Sequence, residues 1–138
     1  MKIKLDEGAT MPTKAYATDA GFDIYSREDK VIPARCSAIF DTGVHIELPM
    51  CTVGMLKSKS GLNVKHNITS EGVIDYGYSG SIVAKLYNLG DVDYKVKKGD
   101  KITQLVIVPF VPVELEFVED LCGGERGSNG FGSSGKWN

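Results

Sequence analysis

Ser81–Asn88 reads SIVAKLYN, and in it Ile82, Ala84 and Leu86 alternate with Val83, Lys85 and Tyr87. A period of two sends successive side chains to opposite faces, so this stretch is a half-buried strand. The same period recurs on both sides of it. Val44, Ile46 and Leu48 alternate with His45 and Glu47, and Val113, Leu115 and Phe117 alternate with Glu114 and Glu116. Leu105–Val108 is a continuous apolar run, which predicts a strand buried on both faces. No long segment has helical periodicity. Ser60–His66, SGLNVKH, suits a turn or two of helix, with Ser60 as the N-cap. Gly makes up 16 of 138 residues, well above the usual share, so turns are frequent. Many short strands with frequent turns predict an all-β sandwich or barrel.

A chain of this length is one domain by default. Its net charge of -2 offers no basic field, so nucleic acid is not an expected partner. Cys36, Cys51 and Cys122 are odd in number and lack Cys-x-x-Cys spacing, which argues against a disulfide framework and a zinc site. Free thiols fit a reducing compartment. The start, MKIKLDEGATMP, has no apolar h-region, and no apolar run reaches the ~20 residues that span a bilayer. A cytoplasmic protein with no membrane partner is expected. From Cys122 the composition changes to CGGERGSNGFGSSGKWN. The expected division is therefore a β domain over 1–121 and a mobile Gly/Ser-rich segment over 122–138.

Five stretches combine Gly with charged, hydroxyl or amide side chains. In DAGFDIYS, Asp19–Ser26, Gly21 permits a tight backbone and Asp23 follows at the start of a strand. In KSKSGL, Lys57–Leu62, lysines and serines adjoin a helix start, where backbone N–H groups favour anions. An ordinary capped helix with solvated lysines has the same residues. In GVIDYGYSGSIVAKLYN, Gly72–Asn88, Asp75 sits among apolar and aromatic residues. A carboxylate there can act as a general base with a shifted pKa, or simply bond its own turn. Tyr78 supplies a flat ring for a sugar or base. In KGDKITQLVIVP, Lys98–Pro109, a turn precedes a strand in which Gln104 needs hydrogen-bond partners, from the fold or from a ligand. In RGSNGFGSSG, Arg126–Gly135, an arginine able to grip phosphate and an isolated Phe131 lie in a glycine frame. Such a segment is either a disordered tail or a lid.

In this order and at these separations, the five stretches resemble the five motifs of the trimeric deoxyuridine triphosphatases, over Asp19–Gly135. GVID-x-x-Y and RG-x-x-GFGSSG are the specific parts. The resemblance implies a jelly-roll-like β fold, a homotrimer with three sites, and hydrolysis of dUTP to dUMP and pyrophosphate with Mg2+. It implies that Asp75 activates the attacking water and that Tyr78 lies under the deoxyribose. Thr69–Ile74, including Gly72 and Val73, would read the uracil edge, with the main chain near Val83 closing the pocket. Ser60, Gly61 and Gln104 match phosphate-binding positions. Arg126 matches the contact to the terminal phosphates, and Phe131 the ring over uracil, within the lid that includes Gly132, Ser133 and Ser134. Asp23 matches a carboxylate that reaches Mg2+ through water.

Three positions depart from the family pattern. Lys59-Ser60-Gly61 stands where Arg-Ser-Gly is usual, and lysine keeps the charge without the planar fork. Asn129 replaces a glycine, a mild change because Asn tolerates positive φ. Glu71 makes the uracil segment more polar than usual, with a bearing on pyrimidine selection. Two other functions share this fold: a dCTP deaminase and a regulatory binding module. The deaminase needs a glutamate where this chain has Lys85, which is cationic and cannot shuttle the proton. A pure binding module should lack the base or the lid, and this chain has both.

Overall fold

The computed structural model describes residues 1–131, 134 and 135. Among them the elements run β1 (Lys2–Leu5), β2 (Gly21–Tyr25), β3 (Lys30–Ile32), β4 (Ser37–Asp41), β5 (Val44–Glu47), β6 (Thr52–Lys57), α1 (Ser60–His66), β7 (Ile68–Ile74), β8 (Val83–Asn88), β9 (Tyr94–Val96) and β10 (Lys101–Pro109). Six strands form one antiparallel sheet in the order β2-β10-β6-β7-β8-β4. Two small antiparallel pairs, β1-β5 and β3-β9, cover its inner face. This is the all-β class that the period-two pattern predicts, in the jelly-roll-like form that the family resemblance implies.

Alternation along the strands builds the core. Ile82, Ala84 and Leu86 are buried, as are Val44, Ile46 and Leu48. One cluster gathers Ile24, Leu56, Leu105 and the β5 residues; the other gathers Phe40, Ile68 and Leu86 with Ile32, Val96 and Ile102. Each fully buried Ile or Leu contributes roughly 1.5–3 kcal/mol. The buried polar side chains of Asn88, Ser70 and Thr103 are paired. Asn88 Nδ2 donates to the Ile32 and Val92 carbonyls at 3.0 and 2.8 Å, while its Oδ1 accepts from the Gly90 amide at 3.0 Å. Ser70 Oγ and Thr103 Oγ1 meet at 2.6 Å, and Thr103 donates on to the Lys57 carbonyl. These bonds fix the registers of β7, β8 and β10, since a slip would strand each buried polar group.

Three expectations are corrected. Val113, Leu115 and Phe117 form no strand; all three are exposed in an irregular segment. Alternation makes a strand only where a neighbour supplies ladder bonds, and this segment has none among the described residues. Leu105–Val108 belongs to the interior strand β10, but only Leu105 is buried. Val106 and Val108 turn to the outer face of the sheet, where Val106 is half-buried and Val108 exposed. The N-cap of α1 is Lys59, in an extended conformation with no side-chain cap, and Ser60 is the first helical residue.

Candidate active site

The first group of site residues gathers where β2, β10 and the start of α1 meet. Asp23 and Gln104 face each other across β2 and β10. Gln104 Nε2 donates to the Ser58 carbonyl at 3.0 Å, beside Lys59. Its side chain passes directly over Gly21, where a Cβ would stand 2.5 Å from Oε1. Glycine at this point lets the Gln104 amide approach closely; it is not there for an unusual φ.

Asp23 is buried, and each of its oxygens takes a lysine. Lys59 Nζ bonds Oδ1, and Lys101 Nζ lies 2.8 Å from Oδ2. Burial pushes this carboxyl up, but hydrogen bonds and charge from Lys101 and Lys59 outweigh it, and the group falls below the usual carboxylate range. The hydrogen bond to Asp23 in turn raises Lys101. The sequence reading missed Lys101, and a bulge explains why. The β2–β10 register shifts between Lys101 and Thr103, so Ile102 and Thr103 are buried in succession. Strict alternation from Gln104 would put Lys101 on the opposite face; the extra residue turns it to the face of Asp23.

The second group lies in and after the end of β7. Val73, Ile74, Asp75, Tyr78, Ser81 and Val83 line a hollow of about 200 Å3. Asp75 and Tyr78 are exposed in it, and the Tyr78 amide donates to the Asp75 carbonyl at 3.1 Å. Tyr78 Oη donates to the Ser81 carbonyl at 3.0 Å, which settles the ring over the loop. Two ties hold that loop from below. Ser81 Oγ donates to Asp41 and accepts from the Gly43 amide at 2.9 Å. His45 Nδ1 lies 2.8 Å from the Ser79 carbonyl, and its Nε2 makes an ionic contact of 3.1 Å with Asp6, off-axis for a hydrogen bond. The Ser79 carbonyl, then Asp6, raise the His45 pKa above its usual 6.5. His45 was legible only as an outward residue of β5; its partners come from remote segments and leave no local signal.

Other expected residues fall elsewhere. Thr69 adjoins Ser58 rather than Tyr78, with a hydroxyl–hydroxyl bond of 2.7 Å. Gly72 sits against Leu56. Ser60 and Gly61 are exposed in the first turn of α1. Glu71 is paired across the sheet with Lys57 at 2.5 Å. In the tail, Arg126, Asn129, Ser134 and Glu125 line a shallow hollow of their own, and Phe131 is exposed. Gly132 and Ser133 lie outside the described residues. The hollow at Val73–Val83 and the one at Glu125–Ser134 share no lining residue.

The sequence matches the family profile described as dUTPase over residues 7–135. The chain belongs to the dUTPase family. It is 45% identical to the deoxyuridine 5'-triphosphate nucleotidohydrolase of Clostridium acetobutylicum, over 98% of this chain and 96% of that protein. It is 44% identical to the corresponding protein of Eremothecium gossypii, over 98% of this chain and 90% of that one. Among solved structures, the Staphylococcus bacteriophage 80alpha dUTPase with dUPNHPP superposes with a TM-score of 0.91, at 34% identity and 97% coverage of both chains. A mutant dUTPase of phage phi11 of S. aureus, described as revealing the coordination of a structural Mg(II) ion, gives 0.80 at 32% identity, over 86% of this chain and 96% of that one. All three residue groups fall inside the dUTPase-matched region, from Asp23 to Ser134.

Proposed function

We propose that this chain hydrolyses dUTP to dUMP and pyrophosphate, as a cytoplasmic homotrimer acting on the Mg2+-bound triphosphate. The observation that carries the reading is the hollow of Val73, Ile74, Asp75, Tyr78 and Val83, in a chain of the dUTPase family. It pairs an exposed carboxylate with a flat ring against a strand edge. That suits a pyrimidine deoxynucleoside with a water held beside its α-phosphorus.

In the proposed reaction Asp75 takes a proton from water as the water oxygen bonds to the α-phosphorus. The bond from that phosphorus to the oxygen bridging to the β-phosphoryl group breaks, and pyrophosphate leaves. Tyr78 orients the sugar, and the backbone of Val73–Ile74 and Val83 reads the base edge. Lys59, Ser60, Gly61 and Gln104 hold phosphate oxygens. Arg126 grips the terminal phosphates, and Phe131 covers the base together with Gly132, Ser133 and Ser134. Such chemistry is mostly positioning and charge neutralisation. Mg2+, when bound, neutralises charge on the phosphates. The site fits it as a substrate-borne ion: Asp23 is an ionised oxygen donor whose lysine partners favour contact through water over direct ligation.

The trimer reading is supported by the length of β7. Thr69 adjoins the Ser58–Lys59 segment, and Asp75 stands six residues further on, or ~20 Å of strand. Base and phosphate groups so far apart in one chain suit a site shared between copies. Exposed Ile39, Val73, Val83 and Tyr87 on the outer sheet face, and the exposed apolar residues Val111–Leu121, are surface for neighbours to cover. The test is a panel of dUTP, dTTP, dCTP and UTP, scored for monophosphate, pyrophosphate and ammonia. The expected result is dUTP cleaved far faster than the rest; equal kcat/KM for dCTP or UTP would overturn the pocket assignment.

A further inference from the structure

Lys59 cannot hold phosphate and Asp23 at once with full strength. Its Nζ bonds Asp23 Oδ1. If it left a buried carboxylate with no other partner, the move would strand a charge in a poorly solvated place, which is strongly unfavourable. The structure supplies that other partner. Lys101 reaches Oδ2 at 2.8 Å from a half-exposed position, and only the bulge in β10 puts it on that face. Tyr25, its cross-strand neighbour, lies under the ammonium, with the ring centroid 6.0 Å from Nζ.

We propose that Lys101 is a positioning residue for the triphosphate: it keeps Asp23 partnered and in place, so that Lys59 can transfer from Asp23 to a phosphate oxygen when nucleotide binds. Lys101 therefore acts through Asp23 and Lys59, without touching substrate. This rests on the dUTP reading of the site. Without Lys101 the whole charge of Asp23 falls on Lys59, and phosphate must compete harder for it. Without the Asp23 charge, Lys59 is already available and Lys101 ceases to matter.

The experiment is calorimetric binding of dUpNHpp and of dUMP in the presence of a chelator, so that no metal contributes. Lys101→Gln should weaken dUpNHpp about tenfold, the scale of one charge-assisted hydrogen bond, and leave dUMP nearly unchanged. Lys101→Arg should restore binding. Asp23→Asn should tighten metal-free dUpNHpp, and adding Lys101→Gln to it should change nothing further. Thermal melts confirm that each variant is folded; should Lys101→Gln fail to fold, Lys101→Met, which keeps the aliphatic stem without the charge, takes its place in every arm. Unchanged dUpNHpp affinity in Lys101→Gln, equal loss for both ligands, or a loss that persists in the Asp23→Asn background would each overturn the proposal. Lys59→Ala separates the levels. If it leaves dUpNHpp binding intact, the phosphate-site reading falls as well; if it weakens binding while Lys101→Gln does not, only the role of Lys101 falls.

Discussion

The hydroxyls of Ser58 and Thr69 meet at 2.7 Å, and the Ser70 amide donates to Ser58 Oγ at 2.9 Å. The loop that carries Lys59 is thereby fastened to the beginning of β7, while Asp75 follows the end of the same strand. Two parts of the proposed site are thus held apart by the length of one strand.

Subunit complementation follows from that separation. A chain truncated after Cys122 lacks the segment with Arg126 and Phe131, and an Asp75→Asn chain lacks the base. Each should be nearly inactive alone. Mixed under conditions where subunits exchange, they should recover dUTP hydrolysis if the proposed trimer shares its site between copies, because some assemblies would then contain a site with both parts intact. Exchange shown by mass spectrometry with no return of activity would assign base and tail to a single chain.

Asp75→Asn alone should lose ~10²-fold or more in kcat, as expected for removal of a general base. Asn keeps the shape but cannot take the proton, so dUpNHpp affinity should stay near that of the parent. Near-normal turnover would remove Asp75 from the chemistry.

Gly21→Ala tests the approach of Gln104. The new Cβ would stand 2.5 Å from Gln104 Oε1, so the amide must swing off the Ser58 carbonyl. The displaced group is the free end of a side chain, and the stability loss should be at most about 1.5 kcal/mol in urea melts, the worth of one hydrogen bond. Triphosphate binding should nevertheless weaken as it does in Gln104→Ala, and the double variant should lose no more. Additive losses would mean that Gly21 acts by another route.

The His45 contacts predict a pH-dependent brace under the Tyr78 loop. His45 has its pKa raised in the fold by Ser79 and Asp6, so its contribution is fully present below the unfolded value of 6.5 and is lost as pH rises through the folded one. The Asp6 carboxyl is lowered, first by its contact with His45, so its side of the pair survives until pH falls below the usual carboxylate range. The difference in Tm between the parent and His45→Gln should be greatest between roughly pH 4 and pH 6 and should shrink on going to pH 8. A constant difference across that range would show that His45 titrates alike in the folded and unfolded chain, and that the contacts to Ser79 and Asp6 do not raise its pKa.

Much of this was legible in the chain itself. Period-two alternation in Val44–Leu48 and Ile82–Tyr87 follows from the geometry of a strand, so those strands and their buried faces could be read directly. Asp23, Asp75, Tyr78 and Gln104 were visible as residue types that can carry chemistry, but each alone had an ordinary structural reading; their roles, and that of Lys59, came from the resemblance of five ordered motifs to a family. Alternation in Val113–Phe117 misled, because a pattern of side chains does not supply the neighbour whose backbone completes a ladder.

What the tertiary structure alone decided is which residues meet. The reach of Lys101 to Asp23 depends on one extra residue in β10, and a single-residue shift turns a side chain from one face of a sheet to the other. His45 gains its partners from Asp6 and Ser79, which adjoin it only after β1 has paired with β5 and the loop after Asp75 has folded back. The sequence by itself determined the β5 and β8 strands, the all-β class of fold and the chemical types available at the proposed site. Cross-strand register and bulges, which arise from pairing between distant segments, decided how those types are paired and how far apart they stand.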